Sequence, residues 1–355
     1  MMPTMDDVAR RAEVAKSTVS LVLNDKPGVS PALKDLVLQA AAELGYQQPK
    51  SRAQRRTNIH STIVNRAIVN RSIVVVHAQS NPKLAGNAEP TDLYLNYLNG
   101  IRAFAQTANI NLTVIADYRE EETNRLAFQL LHNSMPAFDG LIIMGGSARQ
   151  NHQLIHQIME NGIPAVALSR NWPDLPISTV GPNYGQQVRI ALEHLTSLRH
   201  RQIGFLASEH DQRFDWYRWR LDAYRQAMFE LTGTVDEALI ATGANGAEAI
   251  THLIQRRSDV TAVFAINDER AIEAFSGLQK LGLRVPQDLS MIGQDNVVEL
   301  MGNQPTLTTV SFPHTQVGYL AAELLVKQMQ NSAISHCNLW VQCTLVERAS
   351  CALLA

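Results

Sequence analysis

The sequence predicts a small all-α head of helix-turn-helix type, followed by a larger α/β body of two doubly wound lobes. Three observations carry this. In residues 7–25, DVARRAEVAKSTVSLVLND, apolar residues fall at Val8, Ala9, Ala12 and Val14, then at Val19, Val22 and Leu23. That is the spacing of two short amphipathic helices with a tight turn between them. From Ser72 onward, short apolar runs recur about every 25–40 residues with helical patterns between most of them. Strand alternating with helix means parallel sheets covered by helices on both faces. Finally, 355 residues exceed one ordinary domain, and the runs are too many for one compact sheet.

The head follows element by element. Thr4-Met5-Asp6-Asp7 has the Ser/Thr-x-x-acid form of a helix start, with Asp where Glu or Gln is usual. A first helix is expected over 5–12, a turn over Glu13-Val14-Ala15, and a second helix over 16–24. Asp25-Lys26-Pro27-Gly28 has strong turn chemistry. Ser30-Pro31 then supplies a cap and a proline at the first helical position. The third helix carries Leu33, Leu36, Val37, Ala40, Ala41 and Leu44 at helical spacing and is stopped by Gly45.

In the body the apolar runs are 73–76, 112–116, 141–144, 165–168, 203–207, 262–265 and 289–292. Helical patterns lie at 94–108, 148–160, 185–198, 218–231 and 247–256. Ligands of such folds bind at the carboxyl ends of the strands. Between head and body, QQPKSRAQRRTNIHSTIVNRAIVNRS reads as a basic tether; its near-repeat IVNR is too short for a repeat architecture.

Charge is uneven. Residues 1–71 hold eleven Lys/Arg against six acids, a net +5, which leaves −7 for the rest of a chain at −2. A basic head on an acidic body suits a polyanionic partner. No run of 18 apolar residues occurs, so no membrane span is expected. The first residues lack an apolar h-region, and Cys337, Cys343 and Cys351 read as reduced, buried thiols, so a cytoplasmic protein is expected. Neither G-x-G-x-x-G nor G-x-x-x-x-G-K nor G-x-S-x-G is present, which argues against a nucleotide cofactor and a hydrolase nucleophile. His152 and His156 share a helical spacing without a Cys or carboxylate beside them, so no metal is expected. No cofactor and no enzyme activity are expected.

Residues 4–46 resemble the DNA-binding head of the lactose/galactose repressor family (LacI/GalR type) of bacterial transcription regulators. The matching residues are Asp7-Val8-Ala9, Val14, Ser17-Thr18-Val19-Ser20, Val22-Leu23-Asn24, Val29-Ser30 and Glu43-Leu44-Gly45-Tyr46. The resemblance implies that the second helix enters the major groove. Lys16, Ser17 and Leu21 would then read base edges, Leu21 only through a thymine methyl. Thr4, Thr18, Ser20, Asn24 and Ser30 would fix register on phosphates. Glu13 and Ala15 stand where the family usually has Gly and Ser. In the tether, Ala53 matches the family's hinge helix, but Arg55 or Arg56 holds the position of its minor-groove leucine. Arginine suits a narrow minor groove by charge rather than by wedging.

The resemblance continues to Arg348. Arg220-Leu221-Asp222-Ala223-Tyr224-Arg225 matches the motif whose Arg binds the effector, and Ala265-Ile266-Asn267-Asp268 and Ile292-Gly293-Gln294-Asp295-Asn296 match two further pocket loops. Pro182, before Asn183, replaces an Asp common in the family. The resemblance implies a body of periplasmic-binding-protein type with three crossovers and a small polar ligand between its lobes. Trp172, Arg220, Asn267, Asp295 and Phe312 are the candidate effector contacts: Arg220 donates in a fixed fork, Asp295 accepts, Asn267 does both, and an aromatic ring covers a sugar or base face. The insertion 77–94 would lid the pocket.

The expected domains are 1–48 (head), 49–71 (hinge) and 72–355 (body), with lobes of approximately 72–173 plus 305–334 and 174–304 plus 335–355. The implied function is a sequence-specific DNA-binding regulator, a repressor in most of the family, controlled allosterically by a sugar-like effector. Its partners would be a roughly palindromic double-stranded operator and a second copy of the chain, with a tetramer left open. The alternative is a solute-binding protein for a sugar or nucleoside.

Overall fold

The computed structural model describes residues 4–23, 31–44, 71–78, 92–117, 138–145, 155, 156, 158, 160–169, 172, 175, 177–297, 306–331, 334 and 336–354. Two units result, Met1–Thr62 and Ile63–Ala355.

Among the described residues the first unit holds three helices, α1 (Met5–Arg11), α2 (Lys16–Leu23) and α3 (Pro31–Glu43). Thr4 caps α1. Its backbone N–H donates to the Asp7 carboxylate (2.8 Å), and its hydroxyl accepts from the Asp7 amide (3.4 Å). Asp thus completes a capping box where Glu is usual. Glu13 has φ +51°, the left-handed region that favours glycine, and this lets the chain reverse in three residues. Val8, Ala9, Ala12, Val19, Val22, Val37, Ala40 and Ala41 form the core, with Met5, Val14 and Leu44 packed against it. Leu36, expected on the inner face, is 47% exposed. The buried stripe of α3 is Val37, Ala40 and Ala41, which places Leu36 outside it. The Arg11–Glu43 ion pair ties α1 to α3.

The second unit has two six-stranded sheets. Its elements are β1 (Ser72–Ala78), α4 (Asp92–Thr107), β2 (Asn111–Asp117), β3 (Gly140–Gly145), β4 (Ala165–Leu168), β5 (Ser178–Pro182), α5 (Tyr184–Ser197), β6 (Ile203–Ser208), α6 (Asp215–Thr232), β7 (Ile240–Gly243), α7 (Gly246–Arg256), β8 (Ala262–Ala265), α8 (Asp268–Lys280), β9 (Ser290–Gln294), β10 (Thr308–Ser311), α9 (His314–Gln330), β11 (Asn338–Val341) and β12 (Thr344–Val346). Lobe 1 has the order β11-β5-β4-β3-β1-β2 and lobe 2 the order β12-β10-β9-β8-β6-β7. All pairings are parallel except β10 with β12. The central strands β3, β4, β6, β8 and β9 are buried at every position, as strands covered on both faces must be.

Lobe membership differs from the expected boundaries. Strand β5, at 178–182, belongs to lobe 1, β10, at 308–311, to lobe 2, and β11, at 338–341, to lobe 1. The three crossings therefore fall at β5 to α5, β10 to α9 and β11 to β12. Strands β5, β7 and β11 lacked a long apolar run: Ser-Thr-Val-Gly-Pro, Ile-Ala-Thr-Gly and Asn-Leu-Trp-Val are short and mixed. Arg71, expected in the tether, is part of the body. It is 6% exposed, and its carbonyl accepts from the Asn111 amide (2.8 Å) beside the start of β2. Of the 77–94 insertion, β1 takes the first two residues and α4 begins at Asp92; 79–91 lie outside the described residues.

Helices α4 and α9 form the most intimate helix pair of lobe 1. A Cβ on Gly100 would lie 1.9 Å from the Thr315 carbonyl oxygen, and one on Gly318 would lie 2.0 Å from that of Tyr97. Only a missing side chain allows this approach, because the obstruction is backbone and cannot rotate away. Gly318→Val should therefore destabilise the body by about 1–3 kcal/mol or more, seen as a lower midpoint in thermal unfolding. An unchanged midpoint would mean that the two helices separate freely.

Candidate functional site

Two places gather the predicted residues. In the first unit, Val19 and Val22 of α2 are buried while Lys16 and Ser17 are exposed, so the helix presents a polar face. Thr18, Ser20 and Leu21 are half-buried. Lys16 Nζ lies 2.7 Å from Asp6 Oδ2 on α1. The Thr4 hydroxyl is committed to Asp7 (2.6 Å). Asn24, Ser30, Ala53, Arg55 and Arg56 lie outside the described residues.

In the second unit, the carboxyl ends of the lobe-2 strands carry Asn267 after β8, Asp295 after β9 and Phe312 after β10. Arg220 comes from the second turn of α6 and is 4% exposed. Its Nη1 donates to the Ile266 carbonyl (2.7 Å), and its Nη2 donates to Asp295 Oδ1 (2.8 Å) and weakly to Gln187 Oε1 (3.4 Å). Gln187 Nε2 in turn donates to Asp295 Oδ1 (3.1 Å). The guanidinium carbon sits 5.1 Å from the Tyr184 ring centre and 5.3 Å from that of Trp216, a cation between two aromatic faces. Asp295 and Asn296 have φ +89° and +56°, a strained turn held by Arg348 Nη2 donating to Asn296 Oδ1 (2.8 Å).

Asn267 caps α8 by accepting from the Arg270 amide (2.9 Å). This commits its Oδ1 and not its amide nitrogen. Phe312 is 5% exposed and packs on His314 with ring centres 4.1 Å apart. Trp172, a candidate effector contact, is 3% exposed within the lobe-1 core cluster, and its Nε1 donates to Asp215 Oδ2 of α6 (3.2 Å). It ties lobe 1 to lobe 2.

The structure adds residues that the motifs did not single out. Tyr184 donates to the Ser169 carbonyl (2.7 Å), and Tyr97 shares a hydrogen bond with the Ser169 hydroxyl (2.6 Å). Gln294 is fully buried, yet neither atom of its amide has a hydrogen-bond partner among the described residues; the same holds for Arg220 Nε and His314 Nε2. Buried polar atoms are nearly always paired, so these four atoms set this end of lobe 2 apart from an ordinary packing core. Gln294 lies inside the Ile292–Asn296 motif beside Asp295, whereas Gln187 meets Arg220 only across 33 residues of sequence, which no motif could have shown.

The site also holds two titrating groups. Asp268, fully buried, accepts from Thr309 Oγ1 (2.6 Å) and the Val297 amide (2.7 Å), but burial pushes its carboxyl up to about 8. Burial lowers His314 to about 4, so its ring is neutral. Among the described residues no group of three or more His, Cys, Asp or Glu could hold a metal, and no helix is long and apolar enough to cross a membrane. Cys343 and Cys351 are free thiols pushed up to about 11 by burial, so they are protonated and unreactive. The arrangement supplies donors, acceptors and aromatic faces: equipment for holding a neutral, hydroxyl-rich molecule.

Comparison with known proteins agrees. The model of the bacterial regulatory proteins, lacI family, matches residues 4–48, and that of a periplasmic binding protein-like domain matches 192–351. The transcriptional regulator GalS of Salmonella typhimurium is 30% identical over 359 residues, covering 99% of this chain and 97% of that protein. The transcriptional repressor CytR of Escherichia coli is 29% identical, covering 98% and 96%. Among solved structures, a complex of the transcriptional regulator CelR with cellobiose superposes with a TM-score of 0.69 at 26% identity, covering 98% of this chain and 99% of that one.

The Asp268 carboxyl has a measurable consequence. Unfolded, it titrates near about 4; folded, at about 8. Between these values the folded protein holds a proton that the unfolded chain has lost, so stability falls as pH rises. His314 acts oppositely, but only below its unfolded value of about 6.5. From pH 6.5 to 8, therefore, Asp268→Asn should flatten the decline of the unfolding midpoint. Parallel midpoint curves for variant and parent would show that Asp268 is ionised throughout.

Proposed function

The chain belongs to the LacI/GalR family of bacterial transcription regulators, and from that membership we propose that it is a sequence-specific repressor released or recruited by a sugar-like effector. Such a protein acts in the cytoplasm, as a homodimer on a roughly palindromic operator.

The reading of DNA rests on α2. With Val19 and Val22 facing inward, Lys16 and Ser17 are the side chains free to enter a major groove. Leu21 adds an apolar edge for a thymine methyl. Thr18 and Ser20 take phosphates, as do Asn24 and Ser30, while Ala53, Arg55 and Arg56 meet the minor groove; Thr4 fixes register through its cap. Lys16 exchanges its ion pair with Asp6 for a base or phosphate, an exposed pair being weak enough to give way.

The observation that carries the effector reading is the buried Arg220–Asp295 pair, with Gln187 and Asn267 beside it and Tyr184 and Trp216 against the guanidinium. A fork of donors next to a carboxylate matches vicinal hydroxyls, and an aromatic face matches the apolar side of a sugar ring. The cellobiose bound by CelR supports a sugar in this chain as well. Phe312 closes the pocket from the crossover to α9, and Trp172 supports it from behind. Binding at the cleft and at DNA are coupled reciprocally: whichever lobe arrangement the effector prefers, DNA prefers or rejects by the same factor.

Thermal unfolding against a panel of mono- and disaccharides, sugar phosphates and nucleosides tests the effector reading. One compound should raise the midpoint in proportion to occupancy, and the rise should vanish in Arg220→Ala. A panel without a hit, or a hit untouched by Arg220→Ala, removes the sugar assignment. Separately, selection of binding sites from random duplexes should return a different sequence for the Lys16→Ala, Ser17→Ala double variant than for the parent. The same sequence from both would take these residues out of base readout.

A further inference from the structure

We propose that a recess on lobe 1, remote from the inter-lobe cleft, binds a small monocarboxylate with an apolar body. The recess lies between the C-terminal halves of α4 and α9, with a volume of about 300 Å³. That is within the lower range for ligand pockets. Its walls are Phe104, Ala108, Ile110 and Val326, with Glu323 and Lys327 at the side and Arg71 among the lining residues.

Arg71 is the observation that points to a ligand. It is 6% exposed, and its Nη1 is buried with no hydrogen-bond partner among the described residues. The residue is not loosely held, since its carbonyl accepts from the Asn111 amide (2.8 Å) at the root of β1. The neighbouring acid Asp139 turns its carboxylate to the Ser72 amide (2.8 Å). Lys327 and Glu323 pair with each other on the wall, at 2.7 Å, and cancel in charge. Among the described residues, the recess thus offers a buried guanidinium N–H without a hydrogen-bond partner, set against apolar walls.

These features select the ligand. A guanidinium N–H in low dielectric calls for an anionic acceptor, and carboxylate fits its planar fork. The paired Glu323 and Lys327 add no net charge to the wall, so the single guanidinium is balanced by a monoanion, which disfavours phosphate and dicarboxylates. Phe104, Ile110 and Val326 ask for an aliphatic or aromatic body behind the carboxylate. The recess is also separate from the effector cleft. Arg71 precedes β1, at the amino end of the sheet, whereas the cleft lies at the carboxyl ends; the seven residues of β1 span about 20 Å.

The test uses the full chain and 4-fluorobenzoate, followed by fluorine NMR and calorimetry. Saturable binding is expected, at least about tenfold weaker for the neutral 4-fluorobenzamide and for Arg71→Met, because a charge-assisted hydrogen bond is lost. Ala108→Phe, which fills the recess from its rim, should abolish binding while the unfolding midpoint shows the variant to be folded. Arg220→Ala should leave binding intact, which separates this site from the cleft. Three outcomes would overturn the proposal: no saturable binding, a preference for inorganic phosphate, or binding that survives in Ala108→Phe. A fourth would be a dimer, by gel filtration, that dissociates in Ala108→Phe without any carboxylate binding in the parent; the recess would then be a seat for a second copy.

Discussion

A charged guanidinium at 4% exposure is the constraint around which the body is arranged. Taking Arg220 out of water is expensive unless an opposite charge and hydrogen-bond acceptors meet it. Asp295, Ile266 and Gln187 do so from a strand end, a loop and a separate helix. Each partner must therefore sit where its own element delivers it. Asp295 reaches the guanidinium only because the chain after β9 turns through two left-handed residues, and Arg348 from beyond β12 holds that turn. The ion pair thus fixes the loops at the carboxyl end of the lobe-2 sheet. A further buried ion pair of the lobe, Arg270 with Asp211, anchors the loop after β6 to α8, with Arg270 Nε 2.9 Å from Asp211 Oδ2. Rigid walls of this kind are what a recognition site requires, since an orienting group that moves loses selectivity.

The head solves a different problem with fewer residues. Among the described residues, eight small or β-branched side chains form the buried core, which is compact because α1 and α2 reverse within three residues. That reversal depends on Glu13 at φ +51°, where glycine would be unstrained. Such strain costs about 1 kcal/mol for a residue with a side chain. A small domain has little stability to spare. A glutamate here also places a negative charge close to the helix that carries Lys16.

The alternating architecture was legible because its signals are local. Continuous apolar runs such as Ala165–Leu168 and Ala262–Ala265 match the strands residue for residue. Arg220, Asn267 and Asp295 were legible because they sit in motifs with fixed neighbours. Edge strands were not, since β5, β7 and β11 mix polar with apolar residues and need a partner strand to define them. Lobe membership was missed for the same reason: that β10 pairs with β9, and β11 with β5, is long-range information. Trp172 shows the limit for single residues. Composition makes an aromatic near a strand end a candidate ligand contact, but only packing reveals that its indole N–H is spent on Asp215. Arg71 likewise reads as part of a basic tether until its burial is seen.

The order of the strands bears on how the chain emerges during synthesis. Lobe 1 is finished by β11, whose residues 338–341 pair with 178–182, and lobe 2 by β12, which comes after it at 344–346. Helix α9, which packs against α4, arrives almost as late. For most of translation both sheets present unpaired strand edges, and α4 lacks the helix that covers it. Such surfaces invite association with other nascent chains. Closing contacts between residues this far apart is also slow, because the loop entropy must be overcome before the pairing is gained. The head, finished within its first 44 residues, can form while the body is still being made. Nascent chains therefore carry a folded head well before the body is finished, and strands β11 and β12 decide when the two lobes become complete.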